Sequence, residues 1–231
     1  MRSKAWMQKG LAVGTVLALV AVVAATNLAT ATHRPADKMA VAASTLEVLH
    51  ATGSGAAPLP LGVPLGLDPL DAESSVTVEL LAGTLRTSSP TDLVFRVAAE
   101  CALWTNVTTV GNDESEAFAS VKVWVTLDGV PVSVGSGDTN EPGKVVFCNR
   151  TYRVVTTEFD DEDATIQQFL ATRSANGFSW VALNVGHGVH EVQAWAELTV
   201  NADDAMASAA AAVGKRTMLV EPEKLANDVT L

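Results

Sequence analysis

The chain lacks the short motifs that announce common enzyme chemistries. It has no phosphate-binding glycine loop, no G-x-G-x-x-G, no H-E-x-x-H and no G-x-S-x-G elbow. Gly53-Ser54-Gly55 and Gly135-Ser136-Gly137 come nearest and lack both the spacing and the strand-to-helix setting. Positive charge is also scarce, with 15 Lys and Arg against 26 Asp and Glu and a formal net charge of −11. Such a field repels phosphate backbones and anionic membrane surfaces, so nucleic acid is excluded as a partner. Only two cysteines are present, Cys101 and Cys148, and neither sits beside a His or a second Cys, which makes a poor zinc site.

The beginning of the chain is informative. A basic start, MRSKAWMQKG, leads into the apolar run Leu11 to Ala25 and closes on Ala29-Thr30-Ala31. This order is that of a secretory signal peptide, residues 1–31, cleaved after Ala31. Removing Arg2, Lys4 and Lys9 and no acid moves the formal charge from −11 to −14. Two other readings exist. Residues 11–31 are just long enough to span a bilayer, so a membrane contact follows only if that segment is retained. The run after Lys9-Gly10 also looks archaellin-like or pilin-like, which makes the chain a filament subunit keeping its apolar helix; Thr15 in place of a glutamate, and Pro35, speak against it.

Residues 32–72 read as a linker. The stretch MAVAASTLEVLH, residues 39–50, is expected as a marginal helix. Residues 53–72 interleave Gly, Leu and Pro, a composition through which neither helix nor central strand can run. From about residue 73 the pattern becomes alternation, the mark of half-buried strands. Leu93, Phe95, Val97, Ala99, Cys101 and Leu103 fall on one face, and Arg96, Glu100 and Asn106 on the other. Val121, Val123, Val125 and Leu127 repeat this before Asp128-Gly129, a hairpin turn signal, and Pro131 places the returning strand at a sheet edge. The expected fold over 73–231 is an all-β, antiparallel, immunoglobulin-like β-sandwich of seven to eight strands. One short crossing helix is expected in 160–177, from the helical spacing of Ile166, Phe169 and Leu170 and a stop at Asn176-Gly177.

An even cysteine count in an exported chain predicts a Cys101–Cys148 disulfide. Closing a loop of 47 residues contributes about 4 kcal/mol by the loop-entropy relation.

Three stretches carry a resemblance: GKVVFCNRTYRV (143–154), FLATRSANGFSWVALNVGHGVHEVQAWAELTV (169–200) and AVGKRTMLVEPEKLAND (212–228). They resemble a group of uncharacterised exported bacterial β-rich proteins, over roughly residues 75–231. The resemblance implies secretion and a β-rich domain and transfers no activity. Cys101, Trp124 and Cys148 are loosely similar to the immunoglobulin pattern. However, Cys148 comes early, Val146 stands where a tyrosine is expected, and Trp124 faces away from Val123 and Val125.

Candidate site residues are few. Trp104, Trp124 and Trp195 all fall opposite the core face of their strands, where exposed indoles offer a platform for a glycan or a protein. The acidic run Asp160, Asp161, Glu162 and Asp163 is a weak calcium candidate, without the D-x-D-x-D-G spacing. His187 and His190 are the only clustered histidines, and Gly186-His187-Gly188 reads as a hairpin turn after which His190 opens a strand. No catalytic residue, metal or cofactor is assigned. The expectation is a secreted, non-catalytic binding or structural module, partnered by a protein or a glycan or by its own copies. A filament subunit, a carbohydrate-binding module and a hydrolase using Asp160 to Asp163 with a histidine are the alternatives.

Overall fold

The structure, a computed structural model, describes residues 37–52, 73–111, 113–134, 141–156, 165–202 and 206–223. Ten strands occur among them: β1 (Met39–Ala43), β2 (Glu47–Thr52), β3 (Glu73–Thr87), β4 (Thr91–Val110), β5 (Glu114–Leu127), β6 (Val130–Pro131), β7 (Val145–Val155), β8 (Thr165–Val185), β9 (Gly188–Asn201) and β10 (Ala207–Glu223). All pairings are antiparallel. One sheet runs β1-β10-β4-β8, with β2 continuing β1 along the same edge of β10. The other runs β3-β9-β5-β6, with β7 sharing the β5 edge with β6. The two sheets stack as a sandwich, and the side chains between them form the core.

Alternation explains which residues face inward. Leu93, Phe95, Val97, Ala99, Cys101 and Leu103 of β4 are buried against Val192, Ala194, Ala196, Leu198 and Val200 of β9 and Val121, Val123 and Val125 of β5. The Asp128-Gly129 turn closes β5 onto β6 with both residues at positive φ, 51° and 80°, the primed geometry that a right-twisted hairpin needs. Pro131 lies in the two-residue β6 at the sheet edge, as expected.

Three fastenings join the layers. Cys101 of β4 and Cys148 of β7 form the disulfide across the sandwich, their Cα atoms 6.5 Å apart. Trp180 of β8 is 1% exposed, packs against Phe147 and Phe178, and donates its indole N–H to the Gly143 carbonyl at 2.7 Å. Gly143 has φ +76°, and a Cβ there would lie 2.3 Å from the Val132 carbonyl oxygen, so no other residue fits. The third fastening is Arg216. Between Val213 and Arg216, β10 carries a bulge relative to β4, which turns the Arg216 side chain inward. Its guanidinium donates to the carbonyls of Leu80 (2.9 Å) and Thr45 (2.7 Å) and to Thr45 Oγ1 (2.9 Å), tying β10 to β3 and to the β1–β2 corner. Burial lowers its pKa from the ordinary arginine value, with Glu47 acting in opposition.

Three expectations are corrected. The crossing helix is absent among the described residues: from Thr165 onward the segment is β8, paired with β4 from Val185↔Thr91 to Thr165↔Val110. The exposed edge of a 20-residue strand offers backbone partners along its whole length, and a short isolated helix cannot compete with that. Asn176-Gly177, expected as a helix stop, lies mid-strand, with the Asn176 amide donating to the Phe147 carbonyl at 2.8 Å. The marginal helix at 39–50 is replaced by β1 and β2, both edge partners of β10. Over 73–231 the strands number eight, β3 to β10, within the expected seven to eight; what is corrected is the linker expected over 32–72, whose residues 39–52 join the sandwich as β1 and β2 and bring the strands among the described residues to ten. The signal-peptide, filament and membrane readings of residues 1–31, and residues 53–72 of the expected 32–72 linker, lie outside the described residues.

Candidate functional site

The three expected tryptophans do face outward, but from different sheets. Trp124 of β5 and Trp195 of β9 are register partners and stack with centroids 6.5 Å apart at 14°. Lys144 stands over Trp124, its Nζ 5.0 Å from the ring centroid, and pairs with Glu197 at 2.7 Å. Burial pulls the Lys144 pKa down, yet the carboxylates of Glu197 and Glu141 carry it above the usual lysine value. Lys122 bonds Glu141 at 2.8 Å in the same group. Under this ionic cover Trp124 is only 9% exposed, so it offers no open platform. Trp195 is half-buried and donates to Thr126 Oγ1 at 3.3 Å.

Trp104 lies on the outer face of the other sheet. Its register neighbours are Ala210 on β10 and Ala171 on β8, so an indole rises from a floor of small side chains. Next to it lies a pocket of about 170 Å³, walled by Trp104 and Leu46, floored by Ala102 and Ala212, and edged by Glu100 and Arg173. The β10 bulge shapes one end: a Cβ at Gly214 would sit 3.3 Å from Glu100 Oε2. Arg173 donates to Glu100 Oε2, and this bond, against partial desolvation and with the Arg173 and Lys215 charges, holds the Glu100 carboxyl below its ordinary pKa. The pocket therefore combines an aromatic wall with an ionised carboxylate and a guanidinium at its rim. Its volume is well below the roughly 300–1,000 Å³ of drug-sized sites, so it suits one small ring or one side chain.

A third cluster closes one end of the sandwich. His190 Nδ1 meets Asp128 Oδ2 at 2.8 Å, and its Nε2 meets the Gly186 carbonyl at 3.1 Å and Thr87 Oγ1 at 3.2 Å. The positions resemble a hydroxyl–imidazole–carboxylate relay, but the chemistry differs. A carbonyl only accepts, so Nε2 carries a proton, and the Asp128 bond raises the pKa of His190. Thr87 spends its own proton on the same carbonyl. The ring is clasped between Asp128 and the Gly186 carbonyl, and Thr87 directs its hydroxyl to that carbonyl instead of to the ring. His187 is exposed in the connection between β8 and β9, which is not the hairpin turn expected: β8 belongs to one sheet and β9 to the other, so the chain crosses between the layers there, and His190 lies near the start of β9.

Among the described residues no group of three or more acidic, His or Cys side chains is placed to hold a metal. Asp160, Asp161 and Asp163 lie outside them. Sequence reasoning missed Trp180, Arg216 and the Glu100–Arg173 rim. The alternation in FSWVALNV already placed Trp180 on one strand face with Phe178, but nothing local tells a buried edge from an open one.

No protein family matches the chain, and no curated protein matches it. Among solved structures, the infectious bursal disease virus VP2 subviral particle aligns at 12% identity with a TM-score of 0.16, covering 85% of this chain and 44% of that one. The structure of the Gx strain of the same virus aligns at 10% identity with a TM-score of 0.14, covering 83% and 43%. The chain thus spans less than half the length of these proteins, and scores this low carry no argument.

Proposed function

We propose that this chain is an exported, non-catalytic binding module whose Trp104 pocket takes one sugar ring of a glycan. The pocket itself carries the reading. An indole face stacks against the C–H face of a pyranose, and a carboxylate beside a guanidinium can accept from and donate to neighbouring hydroxyls. Both charged groups are already ionised and paired, so little reorganisation accompanies binding. Export is supported by the inter-sheet disulfide, which belongs to an oxidising compartment, and by the order of residues in 1–31.

The test is a titration of soluble oligosaccharides against wild-type protein and Trp104→Ala, read by intrinsic fluorescence and calorimetry. Loss of one aromatic stack, about 0.5–1.5 kcal/mol, weakens affinity by roughly two- to tenfold, with a further loss in Glu100→Gln. A panel in which no sugar gives a Trp104-dependent response would overturn the reading.

A further inference from the structure

β8 is the widest unfilled opportunity in the fold. Among the described residues it pairs with β4 alone, at the edge of its sheet. From Thr165 to Ser179 every residue is exposed or half-exposed. Natural edges of this length are usually blunted by lysines, prolines or bulges. β8 has no proline and no lysine, its only charge is Arg173, already bonded to Glu100, and its register with β4 shifts only at the far end, near Val185. Its apolar side chains are conspicuous instead. Phe169, Leu170 and Phe178 are each 39% exposed, and no aromatic residue outside β8 is among the exposed large hydrophobics described.

We infer that β8 pairs antiparallel with β8 of a second copy, about a two-fold axis through Ser174. An antiparallel two-fold runs perpendicular to the sheet, so each residue must meet one on the same face, and the axis has to pass through a residue rather than between two. Centring on Ser174 sets Leu170 opposite Phe178 of the other copy, and does so twice. It sets Arg173 opposite Ala175, so no like charges face each other, whereas centring on Arg173 would oppose two guanidiniums. The overlap runs from Thr165 to Leu183, about 60 Å of strand at 3.3 Å per residue. The two outer faces then form one continuous surface with both Trp104 pockets on the same side. This pairing does not depend on the glycan reading.

The experiment measures molar mass by light scattering on the full chain, for wild type, Leu170→Lys and the double variant Leu170→Lys/Phe178→Glu. Positions 170 and 178 are about 26 Å apart along one strand, so the introduced charges meet only across the two-fold. Wild type should be a dimer, Leu170→Lys a monomer with an unchanged far-ultraviolet spectrum, and the double variant a dimer again that weakens with salt. A monomeric wild type, a Leu170→Lys variant that stays dimeric, or a folded double variant that stays monomeric each overturns the inference. Absence of glycan binding alongside this pattern would refute only the ligand reading.

Discussion

Replacing Arg216 by methionine should cost this domain a large share of its stability. The guanidinium, its side chain 3% exposed, has five acceptor atoms within 3.5 Å: the carbonyls of Leu80, Thr45 and Gly214, Thr45 Oγ1 and Glu47 Oε1. Methionine keeps much of the volume and removes every donor. Two or three carbonyls are then left without a partner at about 1–3 kcal/mol each, partly offset because no charge need be desolvated. The net loss should be about 3–5 kcal/mol, the range for breaking a buried charged cluster from one side. For a chain of this size each kcal/mol lowers the melting temperature by about 2–4 °C, so the expected fall is roughly 6–20 °C. Arg216→Lys keeps the charge but loses the planar fork that reaches Leu80 and Thr45 together, and should fall between the two. Hydrogen exchange gives the location: amides of β1 and the β1–β2 corner should open before those of β4 and β9. If Arg216→Met unfolds within about 1 kcal/mol of wild type, the reasoning fails. The guanidinium would then be a passenger in the bulge.

Two further outcomes concern the disulfide and the His190 clasp. Replacing both Cys101 and Cys148 by alanine should lower stability by about 4 kcal/mol, measured by denaturant unfolding, whereas equal midpoints with and without the bond would remove its structural role. The His190 clasp should make stability depend on pH with a definite sign. Its folded pKa is raised by the Asp128 bond, so its contribution is full below the ordinary histidine value near 6.5 and is lost as pH rises through the folded pKa. Asp128 acts conversely: its hydrogen bonds from His190 and Glu191 outweigh the opposing desolvation and lower its pKa, so its contribution is lost as pH falls through that lowered value. Melting curves of His190→Gln between pH 6 and 8 should be flatter than wild type, and an unchanged slope would contradict the clasp.

Much of the core was legible because alternation is a local property. The inward face of β4, the inward valines of β5 and the outward direction of Trp104, Trp124 and Trp195 follow from period-two counting, and the Asp128-Gly129 turn from the positive φ that Asp-Gly tolerates. Elements whose state is decided by partners were not legible. Ala207 to Ala212 are mostly good helix formers by intrinsic propensity, yet they form the first part of β10 because the strand there lies between β4 and β2, and Ala210 sits directly beside Trp104. Ile166, Phe169 and Leu170 have helical spacing, and β4 draws them into a strand regardless. Met39 to Ala43 carry too short a pattern to declare themselves. Gly83, where a Cβ would lie 2.3 Å from Met39 Sδ, shows how closely β1 and β3 approach, and only the assembled sandwich reveals it. The site divided in the same way. The indoles were visible, but the cover over Trp124 comes from Lys144, twenty residues on, and the rim beside Trp104 needs Arg173 from β8.

The most direct measurement of the central claim is the indole N–H spectrum of uniformly ¹⁵N-labelled protein during addition of a binding oligosaccharide, with each signal assigned by tryptophan-to-phenylalanine substitution. The Trp104 signal should shift progressively to saturation, while Trp180, held by the Gly143 carbonyl in the core, and Trp124, covered by Lys144, stay in place. A shift confined to Trp195, with Trp104 unmoved, would contradict the account and move the binding surface to the other sheet.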